Sequence, residues 1–257
     1  MRYASAALLV LLLSIGAQAA LRTEAVEYRQ GDTLLQGYLA YDTDFQGKRP
    51  GVLVVHEWWG LVDYPKNRAE ELAKLGYVAF ALDMYGKGKS GATPQEAGQL
   101  AGAIRGNVDL MRARAQAALE ALKRHERTDP RRTAAVGYCF GGGVALELAR
   151  SGADLKGVVT FHGSLATQRP QDAKNIKGRV LVLHGSEDRS VTPAHVAAFQ
   201  EEMRSAGVDW QLNIYSGATH AFSNPAARMP ERGLAYHEQA ATRSWEAMKL
   251  FLADIFK

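Results

Sequence analysis

The sequence predicts an α/β protein built on a mostly parallel sheet that is covered by helices on both faces. Short, continuous apolar segments rich in β-branched residues alternate along the chain with longer segments of helical periodicity. Such continuous segments are typical of strands buried on both faces, and their alternation with helices is typical of parallel sheets. Hydrophobic residues make up 47% of the chain and charged residues 23%, which indicates an ordinary globular protein.

Residues 1–19 have the features of a removable signal peptide. Arg2 supplies an early positive charge, an apolar segment covers residues 6–17, and the small residues at 17–19 (Ala-Gln-Ala) fit a cleavage site. The segment is shorter than the roughly 20 residues that cross a bilayer, so an uncleaved anchor is the weaker alternative. We therefore expect one domain over residues 20–257, located in the periplasm or secreted, with no stable membrane insertion after cleavage.

Eight segments have the pattern of strands. The first two are separated by a turn sequence, Gln-Gly-Asp at residues 30–32, and the later ones are short apolar runs. The predicted strands cover residues 25–29, 34–41, 51–56, 77–82, 133–138, 157–161, 180–183 and 211–215. Open α/β sheets place their binding sites at the carboxyl ends of the parallel strands. The residues that follow each strand are therefore the candidates for chemistry.

Helices are predicted between most of these strands. Residues 93–96 (Thr-Pro-Gln-Glu) have the order of a helix cap followed by a first turn, and Thr-Pro at 192–193 repeats that pattern. Gly76 is a usual helix terminator. The predicted helices cover residues 64–75, 93–124 with a break near Gly106, a segment that starts at 192, and 235–256.

The most specific motif lies at the turn between the fifth strand and the next helix. Residues 137–141 read Gly-Tyr-Cys-Phe-Gly, a nucleophile elbow with Cys139 in place of serine. The glycines permit a sharp turn, and the helix start offers backbone N–H groups to an anion such as a thiolate. Cys139 is the only cysteine in the chain, so it cannot form an internal disulfide. The alternatives are a small buried apolar residue and a glycine-rich structural turn.

A nucleophile of this kind is followed in chain order by an acid and then by a histidine. Asp188 lies just after the seventh strand, with Glu187 as the rival acid, and His220 lies in a loop after the last strand. The sequence therefore predicts a catalytic triad in which Cys139 is the nucleophile, His220 the base and Asp188 the residue that orients the base.

The other histidines and the charge balance indicate no further ligand. His162 and His184 follow strands, and we interpret them as pocket-floor residues that bond to backbone; His125, His195 and His237 lie on predicted helices and are expected to be exposed. No pair of histidines or carboxylates has the spacing of metal ligands, so neither a metal nor another cofactor is predicted. The formal charge of +4 is spread along the chain, without the basic stripe of a nucleic-acid-binding protein.

Four motifs taken together resemble the dienelactone hydrolase family (carboxymethylenebutenolidase-like) of the α/β-hydrolase superfamily. They are His-Glu-Trp-Trp-Gly at 56–60, Gly-Tyr-Cys-Phe-Gly-Gly at 137–142, His-Gly-Ser-Glu-Asp at 184–188 and Thr-His-Ala-Phe at 219–222. The resemblance covers essentially the whole chain after the predicted signal peptide. It implies an α/β-hydrolase fold with about eight strands and no large cap domain.

The resemblance also implies roles for residues around the triad. Glu57 would approach the resting thiol and help to manage its proton when substrate enters, whereas the alternative for this carboxylate is an ion pair with Arg68 or Lys66. The oxyanion hole would use the backbone N–H groups of Trp58 and Phe140, donors that point to developing charge.

The chain departs from the family at the place where the substrate is held. Well-studied members bind a carboxylated lactone with arginines, one of them shortly after the triad histidine, where this chain has Asn224. The loop after the fourth strand offers Lys87 and Lys89 instead of arginine, and lysine does not reproduce a bidentate guanidinium clamp. The residues expected to line a more apolar pocket are Trp58, Trp59, Tyr85 and Phe222, together with Asn224.

The expected function is therefore that of an exported hydrolase with a cysteine nucleophile and an acyl-thioester intermediate. A thiolate reacts poorly with unstrained amides because an amine leaves badly, so the expected small-molecule substrate is a lactone, enol ester, activated ester or thioester. The alternative is a non-catalytic protein of the same fold that binds an apolar or aromatic small molecule. The sequence contains no Gly-x-Ser-x-Gly and assigns no oligomeric state.

Overall fold

An eight-stranded sheet organises residues 20–257, which are the residues that the computed structural model describes; the predicted signal peptide lies outside them. Its strands are β1 (Leu21–Gln30), β2 (Thr33–Asp42), β3 (Arg49–Val55), β4 (Val78–Ala81), β5 (Thr128–Tyr138), β6 (Gly157–Phe161), β7 (Arg179–Gly185) and β8 (Trp210–Tyr215). The strand order is β1-β2-β4-β3-β5-β6-β7-β8. Strand β2 pairs antiparallel with both of its neighbours, and all other neighbouring pairs are parallel. The predicted α/β-hydrolase-like fold is confirmed.

Helices cover both faces of this sheet. They are α1 (Asp63–Lys74), α2 (Pro94–Arg105), α3 (Val108–Arg124), α4 (Phe140–Arg150), α5 (Pro193–Ala206) and α6 (Glu238–Ile255). Alternate residues of each strand point to opposite faces. In β3, Leu53 and Val55 pack into the apolar cluster formed with α2 to α5, whereas Val52 and Val54 pack into the cluster formed with α1 and α6. The sheet is therefore buried between two apolar layers.

Side-chain caps explain where the helices on one face begin. The hydroxyl of Thr93 accepts a hydrogen bond from Glu96 N (3.2 Å), and the Glu96 carboxylate accepts one from Ala92 N (2.9 Å) at the start of α2. The Asn107 side chain accepts a bond from Leu110 N (2.9 Å) and starts α3. This second cap is the physical reason for the predicted break near Gly106, because Asn107 leaves the helical conformation and begins a new helix.

The structure corrects some predicted boundaries. The last helix begins at Glu238 rather than at 235. Leu234–Ala235 (β10) instead pairs with Arg228–Met229 (β9) in a short ribbon, and a turn of 3₁₀ helix at Pro230–Arg232 joins the two strands. Another 3₁₀ turn, Pro170–Asn175, precedes β7.

Two histidine predictions also change. His125 and His237 cap α3 and α6 instead of lying within helices, and both are half-buried rather than exposed. His195 lies in the first turn of α5 and is exposed, as predicted. Over the described part of the chain, no helix combines the length and the apolar character needed to span a bilayer.

Candidate active site

Cys139 lies on a sharp turn between the end of β5 and the start of α4, where the backbones of neighbouring elements come close together. Its backbone has φ 55° and ψ −117°, a conformation that non-glycine residues rarely adopt. A Cβ atom on Gly137 would lie 2.0 Å from the carbonyl oxygen of Gly141, and one on Gly141 would lie 2.4 Å from the carbonyl oxygen of Val55. The glycines of the elbow are therefore required, because no side chain fits between β5, β3 and α4.

His220 and Asp188 form a buried pair beside this turn. Nδ1 of His220 lies 2.8 Å from Oδ2 of Asp188, while Oδ1 of Asp188 accepts backbone hydrogen bonds from Ser190 (2.8 Å) and Val191 (3.0 Å). Burial acts to raise the pKa of Asp188, but the hydrogen bond and charge of His220 outweigh it and hold the pKa below its usual value. Glu187, the rival acid, is exposed at the surface. The structure thus places Asp188 against His220.

The other side of the His220 ring faces Cys139. Nδ1 is taken by Asp188, which leaves Nε2 for the thiol. Burial acts to lower the pKa of His220, but the negative charge of an ionised Cys139 and the hydrogen bond that the ring donates to Asp188 outweigh burial and raise the pKa. These contacts stabilise a proton on His220 once Cys139 has given it up.

Glu57 lies in the same buried region, and a neutral amide holds it. Asn224 Nδ2 donates a hydrogen bond of 2.6 Å to Glu57 Oε2. Burial raises the pKa of Glu57 to about 7, although the Asn224 hydrogen bond and the charges of His220 and Arg68 act in the opposite direction. Among the described residues Glu57 forms no ion pair with Arg68 or Lys66: Arg68 contacts Glu71, and Lys66 lies 4.0 Å from Asp63.

Two backbone N–H groups near the thiol have no acceptor within residues 20–257. They belong to Trp58, which follows Glu57 after β3, and to Phe140, the first residue of α4. The first N–H groups of a helix lack an intrahelical acceptor, so Phe140 is free to bind an anion next to Cys139. These are the donors that the resemblance assigns to an oxyanion hole.

Cys139, His220 and Glu57 line a cavity of about 660 Å³. Much of the remaining wall is apolar or aromatic, and one guanidinium lies on it. The further lining residues include Trp58, Trp59, Val62, Tyr64, Arg105, Asn224, Met229 and Leu234. Asp188 lies behind His220 and does not reach the cavity. Over the described residues, no group of three or more His, Cys, Asp or Glu side chains could hold a metal ion.

Two residues expected in the pocket lie behind its wall instead. Tyr85 donates its hydroxyl hydrogen to the carbonyl oxygen of Trp58 (2.9 Å), and its ring packs 5.8 Å from that of Phe140. Phe222 is fully buried and packs against His162. Both side chains support residues of the site rather than touching the cavity, whereas Trp58, Trp59 and Asn224 do line it.

Sequence reasoning missed several lining residues because they do not follow a strand. Arg105 ends α2, and its guanidinium lies 5.3 Å from the centre of the Phe140 ring. A basic residue in the last turn of a helix is usual, so its sequence position carried no signal. Met229 and Leu234 reach the cavity from the β9–β10 ribbon, and Tyr64 from α1.

His162 and His184 also differ in their surroundings. His162 is fully buried and bonds through Nε2 to the hydroxyl of Ser223 (2.8 Å) rather than to backbone, which corrects the pocket-floor interpretation. Burial lowers the pKa of His184. The charge of Asp188 acts to raise this pKa, and the charge of His220 acts to lower it further.

Comparison with known proteins shows which family this chain resembles. The model of the dienelactone hydrolase family matches residues 35–256. A putative carboxymethylenebutenolidase from Aquifex aeolicus is 30% identical over 239 residues, which is 91% of this chain and 99% of that protein. Protein usf of Aquifex pyrophilus is 34% identical over 207 residues, covering 78% of this chain and 87% of that protein.

A solved structure agrees with these relatives. A dienelactone hydrolase-like promiscuous phosphotriesterase from metagenomic libraries superimposes with a TM-score of 0.89 at 40% identity, over 93% of this chain and 100% of that one. The predicted resemblance is confirmed over almost the whole described chain. By sequence and by fold, this chain belongs to the dienelactone hydrolase family, and its family membership indicates a hydrolase.

Proposed function

We propose that the protein is an exported hydrolase that cleaves a lactone, enol ester, activated ester or thioester through Cys139. The observation that carries the proposal is the 2.8 Å hydrogen bond between His220 and Asp188, together with the position of Cys139 beside His220 in the cavity wall. The positive φ of Cys139 adds support, because strained residues of this kind cluster at functional sites.

The mechanism assigns one task to each side chain. Asp188 orients the ring of His220, which takes the proton of Cys139, and the thiolate attacks the carbonyl carbon of the ester. The resulting oxyanion accepts hydrogen bonds from the N–H groups of Trp58 and Phe140. His220 then returns the proton to the leaving alcohol or thiol, which leaves an acyl-thioester. Water that loses its proton to His220 hydrolyses this intermediate and frees the thiolate.

Glu57 serves in this proposal as an additional acid–base group of the cavity. A carboxyl with a pKa of about 7 can exchange a proton near neutral pH. The family resemblance implies a resting contact between Glu57 and the thiol, but here Asn224 holds one carboxylate oxygen at 2.6 Å. The other carboxylate oxygen of Glu57 is not part of this bond, so we propose that Glu57 helps to manage the proton of the Cys139 thiol when substrate enters, while His220 protonates the departing group.

The cavity wall favours substrates with an apolar body. Trp58, Trp59, Val62 and Met229 supply apolar surface, and Arg105 is the basic side chain of the lining. The relatives are named for hydrolysis of a lactone and of phosphotriesters, so both bond types belong in the substrate panel. Comparing neutral with carboxylated lactones tests whether Arg105 compensates for the missing arginine at position 224.

The first experiment uses the chain from Ala20 onward with p-nitrophenyl acetate and the panel. We expect hydrolysis by the unchanged protein, none by Cys139→Ala, and a loss of about 10⁴-fold in kcat for Asp188→Asn, because the amide favours the wrong tautomer of the His220 ring. Glu187→Gln is the matched control, since this neighbouring carboxylate is exposed, and it should retain full activity. Expression of the complete chain should yield a periplasmic protein whose measured mass matches a chain that begins at Ala20.

Other outcomes would reject parts of the proposal. Equal activity of the unchanged protein and Cys139→Ala would exclude the cysteine mechanism. Absence of hydrolysis in both, together with binding of aromatic panel compounds, would favour the non-catalytic alternative. A cytoplasmic protein that keeps residues 1–19 would contradict export.

A further inference from the structure

We propose that His162 is a positioning residue for His220 and that it acts through Ser223. The inference rests on the proposed function, because it concerns the base of that same reaction. Neither side chain lines the cavity, and neither has a place in the mechanism above. The structure nevertheless joins both of them to the loop that carries the base.

Backbone strain marks the position of His162. In the described chain, the non-glycine residues with positive φ are Cys139 (55°), His162 (40°) and Ala221 (62°). The first is the proposed nucleophile, the last directly follows His220, and the ring of His162 packs against His220. Such conformations are costly and persist only where the surrounding structure imposes them. The His162 N–H donates to the carbonyl oxygen of Leu183 (2.8 Å), which fixes this residue to the end of β7.

The ring of His162 restricts the ring of His220. Their centroids lie 5.2 Å apart with an interplanar angle of 64°, and His162 meets Phe222 at 5.1 Å and 82°. Both contacts have the edge-to-face geometry that aromatic rings prefer. His162 is fully buried, so its ring is part of the packed interior. His220 therefore cannot rotate away from Asp188 without displacing a side chain that has no free space around it.

A chain of hydrogen bonds ties the loop after His220 to α1. Nε2 of His162 and the hydroxyl of Tyr64 each lie 2.8 Å from Oγ of Ser223. Arg68 donates a hydrogen bond of 2.7 Å to the carbonyl oxygen of Ser223. Ser223 is held through both its side chain and its backbone, and the next residue, Asn224, holds Glu57. One buried serine thus links the positions of the base and of the second carboxyl group.

The charge of His162 suits this role. Burial lowers the pKa of His162 well below 6.5, and a positive charge on His220 acts in the same direction. The ring is therefore neutral and does not repel an imidazolium at His220. Nδ1 of His162 has no hydrogen-bond partner among the described residues, so the proton belongs on Nε2, which donates it to Ser223.

The test compares two variants that disturb this unit in different ways. His162→Asn removes the ring but suits a positive φ, because asparagine tolerates the left-handed conformation. Ser223→Ala removes only the hydroxyl. In both we expect kcat to fall about tenfold or more with KM within about twofold, since small misplacements of a catalytic group reduce the rate strongly. The double variant should be little worse than His162→Asn, because both act through one contact.

Alkylation of Cys139 by iodoacetamide gives a second readout that needs no turnover. The pH dependence of the alkylation rate depends on proton transfer between Cys139 and His220. The neighbouring titratable or charged groups are Asp188, His184, Glu57 and Arg68. We expect the pH profile of alkylation to shift in His162→Asn and in Ser223→Ala. His125→Asn is the matched control: this half-buried ring packs 5.2 Å from Tyr41 at the end of α3 and should change neither kcat nor the profile.

A folded His162→Asn or Ser223→Ala protein with unchanged kcat and an unchanged alkylation profile would overturn the inference, even if its melting temperature falls. If His162→Asn does not fold, Ser223→Ala decides the question by the same two measurements. If the proposed function is wrong, the unchanged protein hydrolyses no ester. In that case the alkylation profiles of the two variants still test whether His162 positions His220.

Discussion

Ionisable side chains around the cavity differ in their protonation because each lies in different surroundings. Asp188 is buried but accepts hydrogen bonds from His220 and from two backbone N–H groups, so its charged form is stabilised. Glu57 is equally buried, but among residues 20–257 it has only the neutral amide of Asn224 as a hydrogen-bond partner, so its neutral form is favoured. Two carboxyl groups with opposite pKa shifts are typical of sites that divide acid and base roles.

The raised pKa of Glu57 predicts a pH-dependent cost in stability. The folded protein binds this proton more tightly than the unfolded chain, so Glu57 costs nothing below its ordinary pKa of 4.5 and destabilises the fold increasingly as the pH rises to about 7. Glu57→Gln cannot ionise and keeps an oxygen for Asn224. We expect it to raise the free energy of unfolding by about 2–3 kcal/mol at pH 8 and by little at pH 4.5, as measured by urea unfolding.

A matched control separates the effect of burying a carboxylate from the effect of removing one negative charge. Glu120→Gln removes an exposed carboxylate on α3 and should leave the free energy of unfolding nearly unchanged at both pH values. If Glu57→Gln gave the same stabilisation at pH 4.5 as at pH 8, the ionisation of Glu57 would not be its source.

At the scale of elements, the elbow depends on the absence of side chains where α4 meets β3. A Cβ atom on Gly141 would lie 2.4 Å and 2.5 Å from the carbonyl oxygens of Val55 and His56, and backbone atoms cannot move aside as a flexible side chain can. Gly141→Ala must therefore displace the start of α4, which carries the N–H group of Phe140. We expect a destabilisation of about 1–3 kcal/mol, measured by urea unfolding, and a large loss of kcat.

Gly102→Ala makes the same chemical change in a helix that has room for it. A Cβ atom at this position of α2 meets nothing within 4 Å. We expect a stabilisation of about 0.5–1 kcal/mol, because alanine is the better helix former, with unchanged kcat. Equal effects of the two substitutions would mean that the close approach at Gly141 does not constrain the elbow.

At the scale of the whole molecule, a buried ion network joins the helices on one face of the sheet. Arg150, at the end of α4, is fully buried and bonds to Glu202 of α5 (2.7 Å) and to Glu147 (3.1 Å). Glu147 also pairs with Arg112 of α3 (2.7 Å). The network holds the C-terminal part of α4 between its two neighbours, α3 and α5.

Removing the central cation should be costly for stability but not for chemistry. Arg150→Leu leaves the Glu202 carboxylate without its ion-pair partner and Glu147 with Arg112 alone, and we expect a loss of about 3–5 kcal/mol in the free energy of unfolding. The kcat of the folded variant should be unchanged, because Arg150 ends the helix that Cys139 begins. Arg204→Leu, which removes an exposed pair with Glu201, should cost at most about 1 kcal/mol. Similar losses in the two variants would contradict the role given to burial.

The sequence alone determined the sheet, its mostly parallel arrangement and the elbow. Strand periodicity, caps such as Thr93 and the glycines around Cys139 act over a few residues, so they can be recognised without the fold. It also placed the candidate residues at one edge, because the carboxyl ends of parallel strands meet there. The catalytic roles of Cys139, Asp188 and His220 stay predictions, although the structure brings the three side chains together.

Only the tertiary structure decided which side chains face the cavity and which partners they have. It separated Asp188 from Glu187, placed Tyr85 and Phe222 behind the wall, and brought Arg105 to the cavity from the end of a helix. The contacts of His162 and Asn224 were equally hidden in the sequence, as each joins residues far apart along the chain. The physical reason is common to all of them: distances between loops and helix ends are set by how the layers pack, and no local pattern encodes that packing.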